Sequence, residues 1–174
     1  TIVDSEGNGF TIDPGFEEAF QGIITDPRIK KVEGIWVTHY HDDHVLSVNK
    51  LKRRYGAEVY VEEKLVDVLE NPTAYSIPCL LEQPIKVDHV LKHGESFRWR
   101  GIEFTVYDFP TQTYWHCGLL AVVDGKRYFV AGDALYNPRH AQDDNCRNYC
   151  RFEQNDGILF SARLLKELNP QFLI

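Results

Sequence analysis

The run Thr38-His39-Tyr40-His41-Asp42-Asp43-His44 decides how this chain is read. Four side chains that bind metals well, His39, His41, Asp43 and His44, stand within six residues of one another. Neutral imidazole and carboxylate suit zinc, iron or manganese. The run follows Gly34-Ile35-Trp36-Val37, an apolar stretch that predicts a buried strand over 32–38. Two histidines two apart at a strand's end can reach one metal together. An Asp-His pair just beyond directs its donors to a second position. The H-x-H-x-D-H spacing therefore suggests two adjacent metal positions rather than one closed, four-coordinate structural site. Asp42 is the spacer between ligands.

Working outward, residues 45–55 predict an amphipathic helix with Val45, Val48, Leu51 and Tyr55 on one side and Gly56 as its stop. Upstream, residues 2–13 read as a hairpin turning at Glu6-Gly7-Asn8-Gly9. Residues 16–24 carry Phe16, Ala19, Phe20 and Ile23 on one helical face. Downstream come a strand over 58–62, a helix over 64–69, and a proline-containing loop over 71–84 that suits a lid or a pocket edge. From Ile85 the period becomes two. Strands are expected over 87–91, 96–99, 102–109, 117–123 and 128–131, punctuated by Gly94, Arg100-Gly101 and Asp124-Gly125. Residues 136–154 are polar and irregular. Asp156 can cap a helix to Leu168, with Ile158, Ala162, Leu165 and Leu168 inward and Asn169-Pro170 as the stop. This order of elements suits a layered α/β domain.

One domain over 1–174 fits the length, and 43% apolar residues can build a substantial core. The net charge of −7 and the lack of a basic stripe argue against nucleic acid as a partner and for a small-molecule substrate. No apolar run reaches membrane-spanning length. Thr1 opens in what reads as a strand and Phe172-Leu173-Ile174 begins another, so an excised part of a longer chain is expected. The four cysteines form no framework: Cys79 and Cys117 are isolated, and Cys146 and Cys150 lack a second pair. Free thiols and a cytoplasmic setting are the expectation.

The motif resembles the signature of the metallo-β-lactamase superfamily of metal-dependent hydrolases, and the likeness extends along the chain. Val3-Asp4-Ser5-Glu6-Gly7 leading to Ile12-Asp13-Pro14-Gly15 resembles the family's opening hairpin and I-D-x-G turn. Phe109-Pro110-Thr111-Gln112-Thr113-Tyr114-Trp115-His116-Cys117-Gly118 resembles the loop that carries a third histidine, and Phe129-Val130-Ala131-Gly132-Asp133 the strand that delivers a bridging aspartate. The resemblance implies a four-layer αββα sandwich. It implies that His39 and His41 hold a first metal with one more histidine, that Asp43 and His44 hold a second, and that Asp133 bridges the two. Zinc is the implied cofactor, as one or two ions, with iron or manganese as alternatives.

The third loop departs from the family's P-G-H-T-P-G-x-x-G pattern. Alignment on Pro110 and Gly118 puts Gln112 where histidine is usual, and His116 follows four residues on. Imidazole binds zinc or iron better than a neutral amide, so His116 is the expected ligand, with Gln112 or a vacant position as alternatives. Thr111 in place of glycine implies an altered backbone there. The second metal of the family takes a further histidine after a final strand; that strand is expected to begin at about Ile174, and the histidine is expected beyond it.

A bound cation brings the pKa of its water toward neutrality, which makes a metal-bound hydroxide available at pH 7. The expected enzyme is a metal-dependent hydrolase of an ester, thioester, lactone, amide or phosphodiester, with Asp43 orienting the nucleophile and accepting its proton. Two other readings stand beside it: a mononuclear iron dioxygenase or diiron redox domain, and a non-catalytic metal-binding module of a larger protein. Tyr114, Trp115, Tyr136 and His140 are candidate substrate contacts. Trp36, Phe97 and Trp99 read as core, His89 and His93 as surface histidines, and Lys50, Lys52, Arg53 and Arg54 as a solvated helix face.

Overall fold

The computed structural model describes residues 1–134 and 157–174. It divides into two compact units, Thr1–Val90 and Leu91–Ile174.

The first unit is built on strands β1 (Ile2–Val3), β2 (Asn8–Ile12), β3 (Lys31–Trp36) and β4 (Glu58–Glu62), with β5 (His89–Leu91) at the boundary; the sheet order is β1-β2-β3-β4-β5. β1 and β2 are an antiparallel hairpin, whereas β2, β3 and β4 run parallel. Val32, Gly34, Ile35 and Trp36 of β3 are all buried. Such continuous burial is what a central parallel strand requires. A Cβ on Gly34 would sit 2.5 Å from the Phe10 ring, so the glycine lets that fully buried ring lie across β3. β5 is shorter than the expected 87–91 because Asp88 turns its side chain to the sheet. Its carboxylate accepts the Val59 N–H at 2.9 Å and pairs with Lys52.

Four helices belong to this unit: α1 (Glu17–Thr25), α2 (Asp42–Val45), α3 (Val48–Tyr55) and α4 (Leu65–Glu70). The single helix expected over 45–55 is two, because helical turns begin earlier, within the metal motif, and break at Leu46-Ser47. Ser47 is the cause. Its N–H bonds to Pro14 O at 3.0 Å and its Oγ to Gly15 O at 2.8 Å, which fastens the break to the chain after β2. Val45, Val48 and Leu51 face inward as expected, and Gly56 closes α3 at φ 67° with its N–H on Lys52 O. The apolar face expected of 16–24 is not formed. Ile23 is the buried residue of α1, and Phe16 lies just before the helix and is 58% exposed.

The second unit holds β6 (Ser96–Trp99), β7 (Ile102–Asp108), β8 (Cys117–Val123), β9 (Lys126–Val130) and β10 (Phe172–Leu173), in the order β10-β9-β8-β7-β6. β6 to β9 form an antiparallel meander, and β10 adds parallel to β9. Arg100-Gly101 and Asp124-Gly125 join the hairpins with positive φ at both residues, the two-residue turn whose twist matches the strands it connects. Helix α5 (Ile158–Leu168) packs Leu164, Leu165 and Leu168 against Phe109, Leu120, Phe129 and Ala131. Leu165 and Leu168 face inward as expected, whereas Ala162 is exposed and Ser161 is the buried residue of that turn. The expected Asp156 cap lies outside the described residues. Of the expected core aromatics, Trp36 and Trp99 are buried, and Phe97 is half-buried and stacked on Phe104. No helix among the described residues is long and apolar enough to cross a membrane.

Candidate metal centre

In the first unit, β3 runs into the motif and delivers its three imidazoles as one cluster. The ring centroids of His39 and His41 lie 4.6 Å apart, and those of His39 and His44 4.1 Å apart. His39 and His41 are buried, and Asp43 and His44 are half-buried. Asp43 Oδ2 stands 3.8 Å from His44 Nε2, so both present donors to the same side of the short helix α2. Asp42 is exposed, as a spacer should be, and its side chain accepts the Asp43 N–H.

Asp13 organises these rings, and the motif reading alone did not find it. One of its oxygens accepts the Thr38 N–H at 2.8 Å. The other accepts the Thr38 hydroxyl at 2.7 Å and lies 3.0 Å from His44 Nδ1. A carboxylate oxygen only accepts, so His44 Nδ1 carries the proton. The Thr38 hydroxyl spends its proton on Asp13, and therefore accepts from His39 Nδ1 at 3.0 Å. Both imidazoles thus use Nδ1 as a donor and keep the Nε2 lone pair, the arrangement that metal-binding histidines require. The signal in the sequence was Ile12-Asp13-Pro14-Gly15. Asp13 has φ 46°, a left-handed conformation that Asp tolerates better than most residues. Gly15 must be glycine, since a Cβ there would fall 1.5 Å from Asp43 O.

The loop over 71–84 lies against the motif. Asp42 donates its N–H to Cys79 O at 2.8 Å, and His41 and Leu80 form an isolated antiparallel bridge. Pro72, Tyr75, Ile77, Leu80 and Glu82 help to line a groove of about 520 Å³ there.

In the second unit the departure at the third loop takes a definite form. His116 is buried, and its Nδ1 donates to Phe109 O at 3.0 Å, which again reserves Nε2 as the lone-pair nitrogen. Gln112 is also buried, and its Nε2 donates to Asp133 Oδ2 at 3.2 Å. The residue hydrogen-bonded to the expected bridging aspartate is therefore the glutamine. Ser161 Oγ fixes the start of this loop by donating to Pro110 O at 2.9 Å. Tyr114 and Trp115 are half-buried and meet edge to face, with centroids 5.7 Å apart. Tyr136, His140, Cys146 and Cys150 lie outside the described residues. His89 pairs with Glu58 and stacks on Tyr60, and exposed His93 accepts the Asp108 N–H, as surface histidines do. Cys79 is exposed and Cys117 is buried.

Each unit carries donors that suit a metal on chemical grounds: His39 and His44 of the first, with the proton on Nδ1 and the lone pair on Nε2, beside the Asp43 carboxylate, and His116 of the second, in the same tautomer, together with the Asp133 carboxylate. A model of the metallo-β-lactamase superfamily matches residues 1–169. The chain belongs to the metallo-β-lactamase superfamily. A hydroxyacylglutathione hydrolase of Dechloromonas aromatica is 29% identical over 169 residues, which is 95% of this chain and 57% of that protein. The metallo-β-lactamase MIM-1 of Novosphingobium pentaromativorans superposes with a TM-score of 0.69 at 20% identity, over 99% of this chain and 67% of that one. The class B3 di-zinc metallo-β-lactamase LRA-12, from an Alaskan soil metagenome, superposes with a TM-score of 0.62 at 14% identity, over 82% of this chain and 56% of that one. These structural likenesses show the metallo-β-lactamase fold. The chain spans about half the length of the curated relatives it matches.

Proposed function

We propose that the chain is a metal-dependent hydrolase of small acyl substrates, with a thioester as the first candidate. His39, His41 and His116 are assigned to one metal, Asp43 and His44 to a second, and Asp133 to both. The observation that carries this reading is the Asp13 network, which puts the proton of His39 and His44 on Nδ1 and the lone pair on Nε2. Zinc suits this set of nitrogen and carboxylate donors, and a superposing neighbour is described as di-zinc. The thioester preference rests on the curated relatives named hydroxyacylglutathione hydrolase.

When bound, the metal supplies acidification of water and polarisation of the substrate oxygen. The chain's own residues do the rest. Asp43 is half-buried beside His44, where its carboxylate can orient the attacking water and accept a proton from it. Asp13 and Thr38 hold the His39 and His44 rings in place, so that no reorientation is needed during the reaction. Tyr114 and Trp115 offer aromatic faces to the acyl group, and the groove at 71–84 offers space beside the motif. Tyr136 and His140 are retained as further substrate contacts.

The test is thiol release from a hydroxyacylglutathione thioester by metal-free protein and by protein reloaded with zinc, manganese or iron. Hydrolysis that appears on reloading and is lost in His39→Ala supports the reading. Metal uptake without turnover of this thioester, or of lactone and β-lactam substrates, would favour the non-catalytic module. Oxygen consumption with iron would favour the dioxygenase.

A further inference from the structure

The Pro110 loop carries three consecutive residues whose side-chain oxygens are buried and make no hydrogen bond among the described residues: Thr111 Oγ1, Gln112 Oε1 and Thr113 Oγ1. Thr113 is fully buried, and Gln112 is 5% exposed. A buried oxygen left in this way costs stability, and such groups in a folded protein call for a ligand, an ion or a function. The amide of Gln112 can be oriented on chemical grounds. Asp133 Oδ2 can only accept, so the nitrogen faces it and Oε1 is the atom left over. Gln112 therefore holds the aspartate with one end of its amide and offers a neutral oxygen donor beside it with the other.

Resting on the metal centre proposed above, the geometry points to Gln112 Oε1 as a metal ligand, and to a centre that favours harder cations such as manganese more than an all-histidine loop would. Carbonyl and carboxylate oxygens suit manganese, whereas imidazole suits zinc. A glutamine oxygen, on an amide hydrogen-bonded to the Asp133 carboxylate, shifts the donor set in that direction. His116 remains available as the loop's nitrogen donor, with its Nδ1 tied to Phe109 O. The sequence departure at Gln112 is then a change in metal selectivity and not a loss of the site.

The test uses the full chain with zinc and manganese as probes, and measures each affinity by competition with a chromophoric chelator. Gln112→His restores the family's usual donor. It is expected to tighten zinc by about ten-fold and to raise the zinc-to-manganese ratio bound from an equimolar mixture. Gln112→Leu keeps the volume without the donor, and is expected to weaken manganese by about ten-fold. Circular dichroism and a melting curve establish that each variant is folded; if one is not, the other decides. Zinc and manganese affinities that stay within about three-fold of the wild type in the folded variants would overturn the assignment while leaving the metal centre intact. A wild-type chain that binds neither ion would overturn the metal centre and this inference together.

Discussion

Asp13 and His44 are 31 residues apart in the chain, and their side chains meet at 3.0 Å, Oδ2 to Nδ1. The same oxygen accepts the Thr38 hydroxyl, and through it holds His39. One carboxylate at the end of the opening hairpin thus sets the tautomer of two imidazoles in the metal motif.

Asp13→Asn isolates this role. Asn also tolerates the left-handed φ of 46°, and it keeps one oxygen for the Thr38 N–H. It loses the acceptor that faces His44 Nδ1 and the Thr38 hydroxyl. Metal affinity is expected to fall about 10- to 100-fold with little change in the far-ultraviolet circular dichroism. Unchanged affinity by chelator competition would remove Asp13 from the account.

Gly15→Ala tests the close approach between the opening hairpin and the metal motif. The added Cβ would fall 1.5 Å from Asp43 O, which is backbone and cannot swing away. The Ser47 hydrogen bonds to Pro14 O and Gly15 O resist separation of the two segments. A loss of about 3 kcal/mol in denaturant unfolding is expected, at the upper end of ordinary overpacking, together with weakened metal binding. A variant as stable as the wild type would mean that the segments part more easily than this packing implies.

Ser161→Ala removes the hydroxyl that anchors the third loop to α5. Pro110 O would then lose a hydrogen bond in a buried setting. The expected cost is about 1–3 kcal/mol, read from urea unfolding. Ser161→Thr, which keeps the hydroxyl, should recover part of that loss.

The Asp26–Arg28 pair gives a pH dependence with a defined sign. Its side-chain hydrogen bonds to Arg28 hold the Asp26 carboxyl at about 2, below its ordinary 3.8. The folded-state value is depressed, so the contribution to stability is present above pH 3.8 and is lost as the pH falls toward 2. Both groups are at the surface, so the effect is small and screened by salt. The melting-temperature difference between wild type and Asp26→Asn should shrink over that window. A difference that is constant from pH 5 to pH 2, a range bracketing it, would count against the pair.

Much of this architecture was legible because local signals agreed with the global fold. β4, β6 and β8 fall where alternation and turn residues put them, and the Asp-Gly and Arg-Gly turns have the backbone they predict. The signals failed where a distant partner decides. Nothing local in 45–55 says that Ser47 will bond to Gly15 O and split the helix. Phe16 and Ala19 follow a helical period, but both are exposed. The clustering of His39, His41 and His44 was readable, because residues close in sequence are close in space. Asp13 was not readable as part of it, since its contact with His44 depends on a left-handed residue and a glycine two positions on. Gln112 was visible as a departure, but its bond to Asp133 required the fold.

Everything proposed for this chain depends on the His39 cluster holding metal. The most direct test is metal content per chain by elemental mass spectrometry, on wild type and on the His39→Ala/His44→Ala double variant, both purified without added metal. The wild type is expected to carry about one to two equivalents of zinc or manganese, and a variant that still melts cooperatively nearly none. A wild type free of metal after incubation with either ion, or a double variant that retains the wild-type content, would contradict metal binding by this cluster.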